Sequence, residues 1–295
     1  MTGGPVHPSE RTEAKRLHVL VSYAYWNQRR QACLEIPDEW NLMLDSGAFT
    51  NFTQGREATS LEGYAEFCEH HQDRFWRIVN LDRIGDPETS RTNLHYLHGR
   101  GIPVIPVFQR GDDPKALQDM AQEGFPVCIG GISQNTKGRA EQDYIQTIMR
   151  LVDRWGIRVH MLGLGGEALF KIPCWSGDSS SWEMASRYGT MHLWYRGRMH
   201  TFSKSPSGKG SRSYVRPTLE RTEVLRSYGL TWEDLRVYRK WSVNDDSQVY
   251  IASIRSWIRL ARTLARVNKR YVFAAHPAHL EVLERAWTME RRSWV

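Results

Sequence analysis

Apolar and polar positions alternate in blocks along this chain. Short runs rich in β-branched and aliphatic residues fall at 19–22, 42–44, 78–81, 104–108, 127–129 and 159–162. Most lead into a polar or glycine-containing loop and then a stretch with helical spacing, which predicts strand–loop–helix units. Thr59 and Glu62 fit a capping box ahead of Leu61, Tyr64, Phe67 and Cys68. Asp86, Pro87 and Gly99 supply the start and stop of a second helix, and Asp113, Pro114 and Gly124 those of a third. In a fourth, Tyr144, Ile145, Ile148, Leu151, Val152 and Trp155 share one face before Gly156 ends it. Six such units at intervals near thirty residues predict parallel βα pairs. They favour a (β/α)8 TIM-like barrel over an open doubly wound sheet.

At 295 residues the chain is long enough for one such barrel. We therefore expect a single TIM-barrel-like catalytic domain over 1–295, with a basic C-terminal extension or insertion at 184–270. "YGTMHLW" and "RYVFAA" both qualify for the last barrel strand, and "TWEDLRVYRKWSVNDD" reads as helical. No apolar run of about 18 residues is present and the N-terminal stretch lacks an apolar centre, so a cytoplasmic protein without a membrane span is expected. Cys33, Cys68, Cys128 and Cys174 form no Cys-x-x-Cys pair, which fits reduced thiols better than a zinc site. His192, His200, His276 and His279 match no common zinc spacing and are expected to be satisfied polar or core groups.

In a barrel of this kind, the loops after the strands gather on one face and carry the chemistry. There the sequence places Asp45, Asp82, Gln109, Gly130 and Gly131, Gly163, and Asp178 in "CWSGDSSSW". Taken singly, each carboxylate also fits a turn or a helix cap. Asp82 could pair with Arg83, and Asp178 could cap a helix beginning near Ser179. Their joint occurrence at successive strand ends points to one pocket.

In order, "DSGAF", "NLDRIGD", "VFQRG", "IGGIS" and "HMLGLG" resemble the tRNA-guanine transglycosylase family. The likeness spans about residues 40–182. Ala48 stands where the family usually has glycine, Thr50 where it has glutamine, and the setting of Asp178 departs from the family's Phe-Asp-Cys. No cysteine follows Cys174, so the family's downstream zinc element has no counterpart and no cofactor is expected. The chain is thus most similar to the virus-type branch that exchanges guanine in DNA for a 7-deazaguanine base.

The resemblance implies Asp178 as nucleophile and Asp45 as general acid/base. Ser46, Asp82, Gln109, Gly130 and Gly131 would hold the base, with Phe49 and Leu162 sandwiching its ring. It implies DNA and a free 7-deazaguanine base as partners, allows a homodimer, and leaves a tRNA substrate or a non-catalytic nucleic-acid-binding barrel as alternatives. A viral protein would work in the host cytoplasm.

The net charge of +7 suits a polyanionic partner. Between Met184 and Leu219 there is no acidic residue, while Arg187, Arg196, Arg198, Lys204, Lys209, Arg212 and Arg216 are basic. This stretch, its "FSKSPSGKGSRSYVR" loop above all, is the expected phosphate-contacting segment. Arg255, Arg259, Arg262, Arg266 and Lys269 also recur at helical spacing beside Ile254, Trp257, Ile258, Ala261 and Leu264. There a solvated outer face is the expected role.

Overall fold

The structure, a computed structural model, describes residues 16–26, 36–122, 126–131, 139–203, 217–236 and 247–293. It divides into two compact units: residues 1–179 with 268–277, and residues 180–267 with 278–295.

The first unit is a mixed α/β fold with a nearly closed, parallel, TIM-barrel-like sheet. Its strands are β1 His18–Ser22, β2 Asn41–Asp45, β3 Arg77–Val79, β4 Val104–Ile105, β5 Val107–Phe108, β6 Val127–Ile129, β7 Val159–Met161 and β8 Ser176–Ser179. A last strand, Arg270–Ala274, comes from the "RYVFAA" segment and is numbered β11 because a hairpin in the second unit intervenes. The sheet order is β4-β3-β2-β1-β11-β8-β7-β6-β5. Its two end members are halves of one chain run, separated only by Pro106. Proline has no N–H to donate and interrupts the ladder. The Pro106 carbonyl still accepts from Cys128 N at 2.8 Å.

Leu20, Met43, Val79, Ile105, Val107, Cys128 and Val272, contributed by different strands, form one buried cluster inside the sheet. The helices that flank it include α1 Tyr23–Trp26, α2 Ala48–Thr53, α3 Leu61–His71, α4 Pro87–Gly99, α5 Pro114–Gln122 and α6 Arg139–Trp155. Asp86 caps α4 as expected, accepting from Thr89 N at 3.0 Å. Ile148 and Val152 of α6 are buried, and Gly156 follows in the left-handed region.

Two helix ends differ from expectation. The cap of α3 is Ser60, whose hydroxyl accepts from Gly63 N. Thr59 is committed elsewhere: its hydroxyl accepts from Asn51 Nδ2 at 3.0 Å and donates to Ser46 O. The helix α4 runs through Gly99, and the left-handed turn falls at Gly101, φ +77°. Arg100 is the cap, so the glycine one step beyond it makes the stop. Gly124 lies outside the described residues.

In the second unit, β9 Thr190–Tyr195 and β10 Arg198–Ser203 form an antiparallel hairpin. Arg196 and Gly197 at its tip both have positive φ, the requirement of a type I′ turn. "YGTMHLW" is thus spent on this hairpin and not on the barrel. Helices α7 Ala168–Lys171, in the first unit, and α8 Met184–Tyr188, α9 Leu219–Arg226, α10 Trp232–Arg236, α11 Gln248–Arg266 and α12 Leu280–Arg292, in the second, complete the main elements. The "TWEDLRVYRKWSVNDD" segment is helical over α10, and its remainder from 237 lies outside the described residues.

The stripe on α11 is buried at Ile254, Trp257, Ile258 and Leu264. Its arginines do not simply face solvent. Arg255 and Arg259 donate to the buried Glu290 at 3.0 and 2.8 Å, so these two positions hold a buried carboxylate and correct the expected solvated face.

Gly177 sits where β8 is most crowded. A Cβ there would lie 2.3 Å from Leu164 O and 2.7 Å from a Leu169 methyl. Since a backbone carbonyl cannot swing aside, Gly177→Ala should cost about 1–3 kcal/mol. Urea unfolding should show a lower midpoint with an unchanged slope.

Candidate functional site

Three carboxyl groups come from strand ends on the same side of the sheet. Asp45 closes β2, in register with Ser22 of β1. Asp82 lies three residues beyond β3. Asp178 is inside β8, paired with Val272, and does not cap a helix. All three influence the buried thiol of Cys128 in the barrel interior, holding it well above its ordinary range together with burial, the larger cause. Asp178 acts on Asp45, and Asp45 in turn acts on Asp82. The fold thus brings these three carboxyl groups to the same end of the sheet.

Each carboxyl group has its own hydrogen-bond setting. Asp45 Oδ2 accepts from Gly47 N at 2.9 Å. Gly47 can do this because it adopts φ +79°, with no room for a Cβ against Ala24. Burial pushes Asp45 up to about 6, aided by repulsion from Asp178 and opposed by the Gly47 N–H. Asp82 accepts from the Gln109 carboxamide and, at a long 3.5 Å, from the Ser46 hydroxyl. Burial, with repulsion from Asp45 next, pushes Asp82 up to about 7. Both groups thus exchange protons near neutrality.

Asp178 is held differently. Its Oδ1 accepts from Gly163 N at 2.9 Å and lies 3.2 Å from His160 Nε2. The other ring nitrogen of His160 is 2.8 Å from the Ser176 hydroxyl. His160 is a functional candidate that the strand-end reading missed, because it lies within β7 and not at its end. Period-2 alternation carries the signal: Ser176 and Asp178 share one face of β8, and His160 is the polar residue between Val159 and Met161.

The remaining expected base contacts fall around these groups. The Gln109 backbone N–H donates to Asp112, while its side chain reaches Asp82. The Gly130 N–H is spent on Phe108 O in the sheet, and its carbonyl accepts from Tyr144. Gly131, at φ +69° over Arg110, is exposed and its N–H has no acceptor among the described residues. The exposed N–H at this turn is that of Gly131, while Gly130 is buried. Leu162 packs on the barrel core, and Phe49, in the first turn of α2, is 62 % exposed. A cavity of about 520 Å³ opens among Trp76, Arg77, Ile157 and Arg158. These residues stand at the N-terminal ends of the strands, away from the carboxylates.

Of the basic positions, Lys204, Lys209, Arg212 and Arg216 lie outside the described residues. Arg196 and Arg198 are exposed on the hairpin and meet acids from α9: Arg196 with Glu223 at 3.8 Å, Arg198 with Glu220. Arg187 pairs with Glu183. The acid-free stretch of sequence is therefore not acid-free in space, although such exposed pairs are worth little.

The four histidines considered from sequence have partners within their own units. His192 meets Thr201, His200 meets Arg198, His279 meets Glu183, and His276 stacks edge-on with Tyr25.

No protein-family model matches the chain, and no curated protein matches it.

The raised Asp82 value has a stability consequence. The folded state holds this proton up to about pH 7, whereas the unfolded chain releases it near 3.8. Native stability is therefore lost as pH rises through that window and levels off above it. Asp82→Asn removes this loss. Its melting temperature relative to the parent should climb between pH 4 and 7 by at least about 2–4 °C, then stay constant. A difference independent of pH in thermal melts would contradict the buried, proton-holding Asp82.

Proposed function

We propose that this protein is a guanine transglycosylase acting on DNA, exchanging guanine for a 7-deazaguanine base such as 7-cyano-7-deazaguanine. The observation that carries the reading is the pairing of two unlike carboxyl groups at one sheet end. Asp178 is oriented by an N–H and an imidazole. Asp45 is poised to gain or lose a proton near pH 6. Base exchange at a sugar carbon needs one group of each kind.

In the first half-reaction a carboxylate oxygen of Asp178 bonds to C1′ of the target nucleotide. The C1′–N9 bond breaks, its electron pair leaves with guanine, and the base takes a proton from Asp45. In the second half, Asp45 accepts the N9 proton of the incoming base. That nitrogen attacks C1′, and the bond to Asp178 breaks with its electron pair returning to the carboxylate. Asp82, Gln109 and Ser46 form a donor–acceptor row suited to a purine edge, with Gly131 N–H available to its carbonyl. Phe49 and Leu162 would bracket the ring. Reaching a base inside a duplex requires turning its nucleotide out of the stack.

This reading takes the sheet as a catalytic (β/α)8 barrel and residues 184–270 as its basic, DNA-contacting insertion. Here phosphates would compete with Glu220 and Glu223 for Arg198 and Arg196. The same chemistry on tRNA is the second reading. The absence of a downstream cysteine cluster favours DNA.

Incorporation of labelled 7-cyano-7-deazaguanine into duplex DNA, with unmodified tRNA in parallel, tests the proposal. Label should enter DNA, and Asp178→Asn should reduce it by about 10⁴-fold or more with DNA binding retained. Asp45→Asn should cost about 10²–10⁴-fold and abolish the fall in kcat/KM expected as pH rises through 6. Label in tRNA alone would move the substrate. Normal exchange by Asp178→Asn would remove the nucleophile assignment. Replacing Lys204, Lys209, Arg212 and Arg216 together by alanine should weaken DNA binding and flatten its salt dependence in fluorescence-anisotropy titrations; unchanged binding would free that loop of the role.

A further inference from the structure

We propose that His160 is a positioning residue that, with the Gly163 N–H, clamps Asp178 through Oδ1 and leaves Oδ2 as the atom that attacks. The inference deepens the transglycosylase reading and rests on it for the identity of the reaction, though not for the clamp itself.

The geometry is specific at the level of atoms. Both hydrogen bonds to Asp178 converge on Oδ1, from Gly163 N at 2.9 Å and His160 Nε2 at 3.2 Å. Among the described residues Oδ2 takes none. A carboxylate can only accept, so His160 Nε2 carries the hydrogen. In the neutral ring the opposite nitrogen is then an acceptor, and the Ser176 hydroxyl at 2.8 Å donates to it. Ser176 is thus the tautomer-setting partner, as a second group fixes the ring in other histidine-assisted sites. His160 and Ser176 are both fully buried, so water does not compete for either ring nitrogen.

Two adjacent strands make the arrangement rigid. His160 pairs with Ser176 in the parallel ladder between β7 and β8, and Asp178 follows two residues on with the same facing. Gly163 closes the clamp from the turn after β7, where φ is +70° and a Cβ would meet nothing within 4 Å. With Oδ1 pinned from two directions, rotation of the carboxyl group is stopped and Oδ2 presents one fixed lone-pair direction. Orientation of this kind governs the rate of the bond-forming step more than substrate affinity.

The side-chain chemistry of glutamine and asparagine separates positioning from packing. A glutamine amide can reach the place of Nε2 and donate to Oδ1, an asparagine amide falls short, and phenylalanine keeps the ring shape without the donor. His160→Gln should retain base exchange within about 10-fold of the parent. His160→Asn and His160→Phe should lose about 10²-fold or more in kcat, with KM for the free base within about twofold. Ser176→Ala should give an intermediate loss. If Phe matches the parent, or Gln and Asn fail equally, His160 merely fills space and the clamp is wrong.

A second readout needs no turnover. In protein carrying ¹⁵N-histidine, the His160 ring, identified by its disappearance in His160→Gln, should show the Nε2–H tautomer, and Ser176→Ala should shift its Nδ1 resonance. An Nδ1–H tautomer would overturn the clamp. If the parent exchanges no base while the Nε2–H signature is present, the clamp stands and the transglycosylase reading falls.

Discussion

Withdrawing a carboxylate from water costs several kcal/mol unless it is neutralised or met by hydrogen-bond donors. The first unit withdraws three within one another's field. Two separate responses are visible. Asp45 and Asp82 keep their protons to higher pH, since burial acts in the same direction as repulsion, from Asp178 on the first and from Asp45 on the second. Asp178 instead receives donors, one from a backbone turn and one from a buried imidazole. Unlike environments for like groups are the usual means of dividing acid, base and nucleophile roles among carboxyl groups. Here the difference in hydrogen-bond setting follows from which strand each group belongs to and what its neighbouring strand offers.

The backbone around these groups is shaped by the same requirement. Gly47 turns its N–H to Asp45 in a conformation with no space for a side chain. Thr59 is drawn from a helix cap to tie Asn51 and Ser46 O together, fixing the loop that follows Asp45. Asp112 secures Gln109 by its backbone, so the carboxamide is aimed at Asp82. These are positioning contacts, each made by a residue whose type alone suggested an ordinary turn or cap.

Much of this was legible in the sequence because strands of a parallel sheet are buried on both faces and read as continuous apolar runs. The run 127–129 coincides with β6, the run 104–108 has the right ends but is split at Pro106, and the other four differ from their strands by one or two residues at one or both ends. The polar strand β8 has no such signature; only its aspartate drew attention. Choosing between "YGTMHLW" and "RYVFAA" was beyond local pattern, since both are apolar and β-branched or aromatic. The choice is made by pairing: the first finds a hairpin partner across Arg196 and Gly197, the second finds β1 and β8. His160 stayed hidden for a related reason. Its meaning lies in a neighbouring strand's register, and strand-end reasoning looks only along the chain. The charge pattern along the chain is incomplete for a similar reason, because α9 and α12 bring acids to arginines that stand far from any acid in sequence.

The late return of the chain ties site geometry to the longest-range pairing in the fold. After β8 the sequence builds the whole hairpin and α9 to α11 before β11 inserts between β8 and β1. β11 is the second neighbour of β8, opposite β7, and sets Val272 across from Asp178. Loop-closure cost grows only slowly with separation, whereas a high proportion of long-range pairings slows folding. The hydrogen bonds that orient Asp178 come entirely from the β7 side, from His160 and Gly163. The other side supplies apolar support through Val272, and Tyr271 donates its hydroxyl to Ser179 O at 3.0 Å. The hydrogen bonds that orient the carboxylate and the pairing that completes its strand's neighbours thus come from different sides of β8.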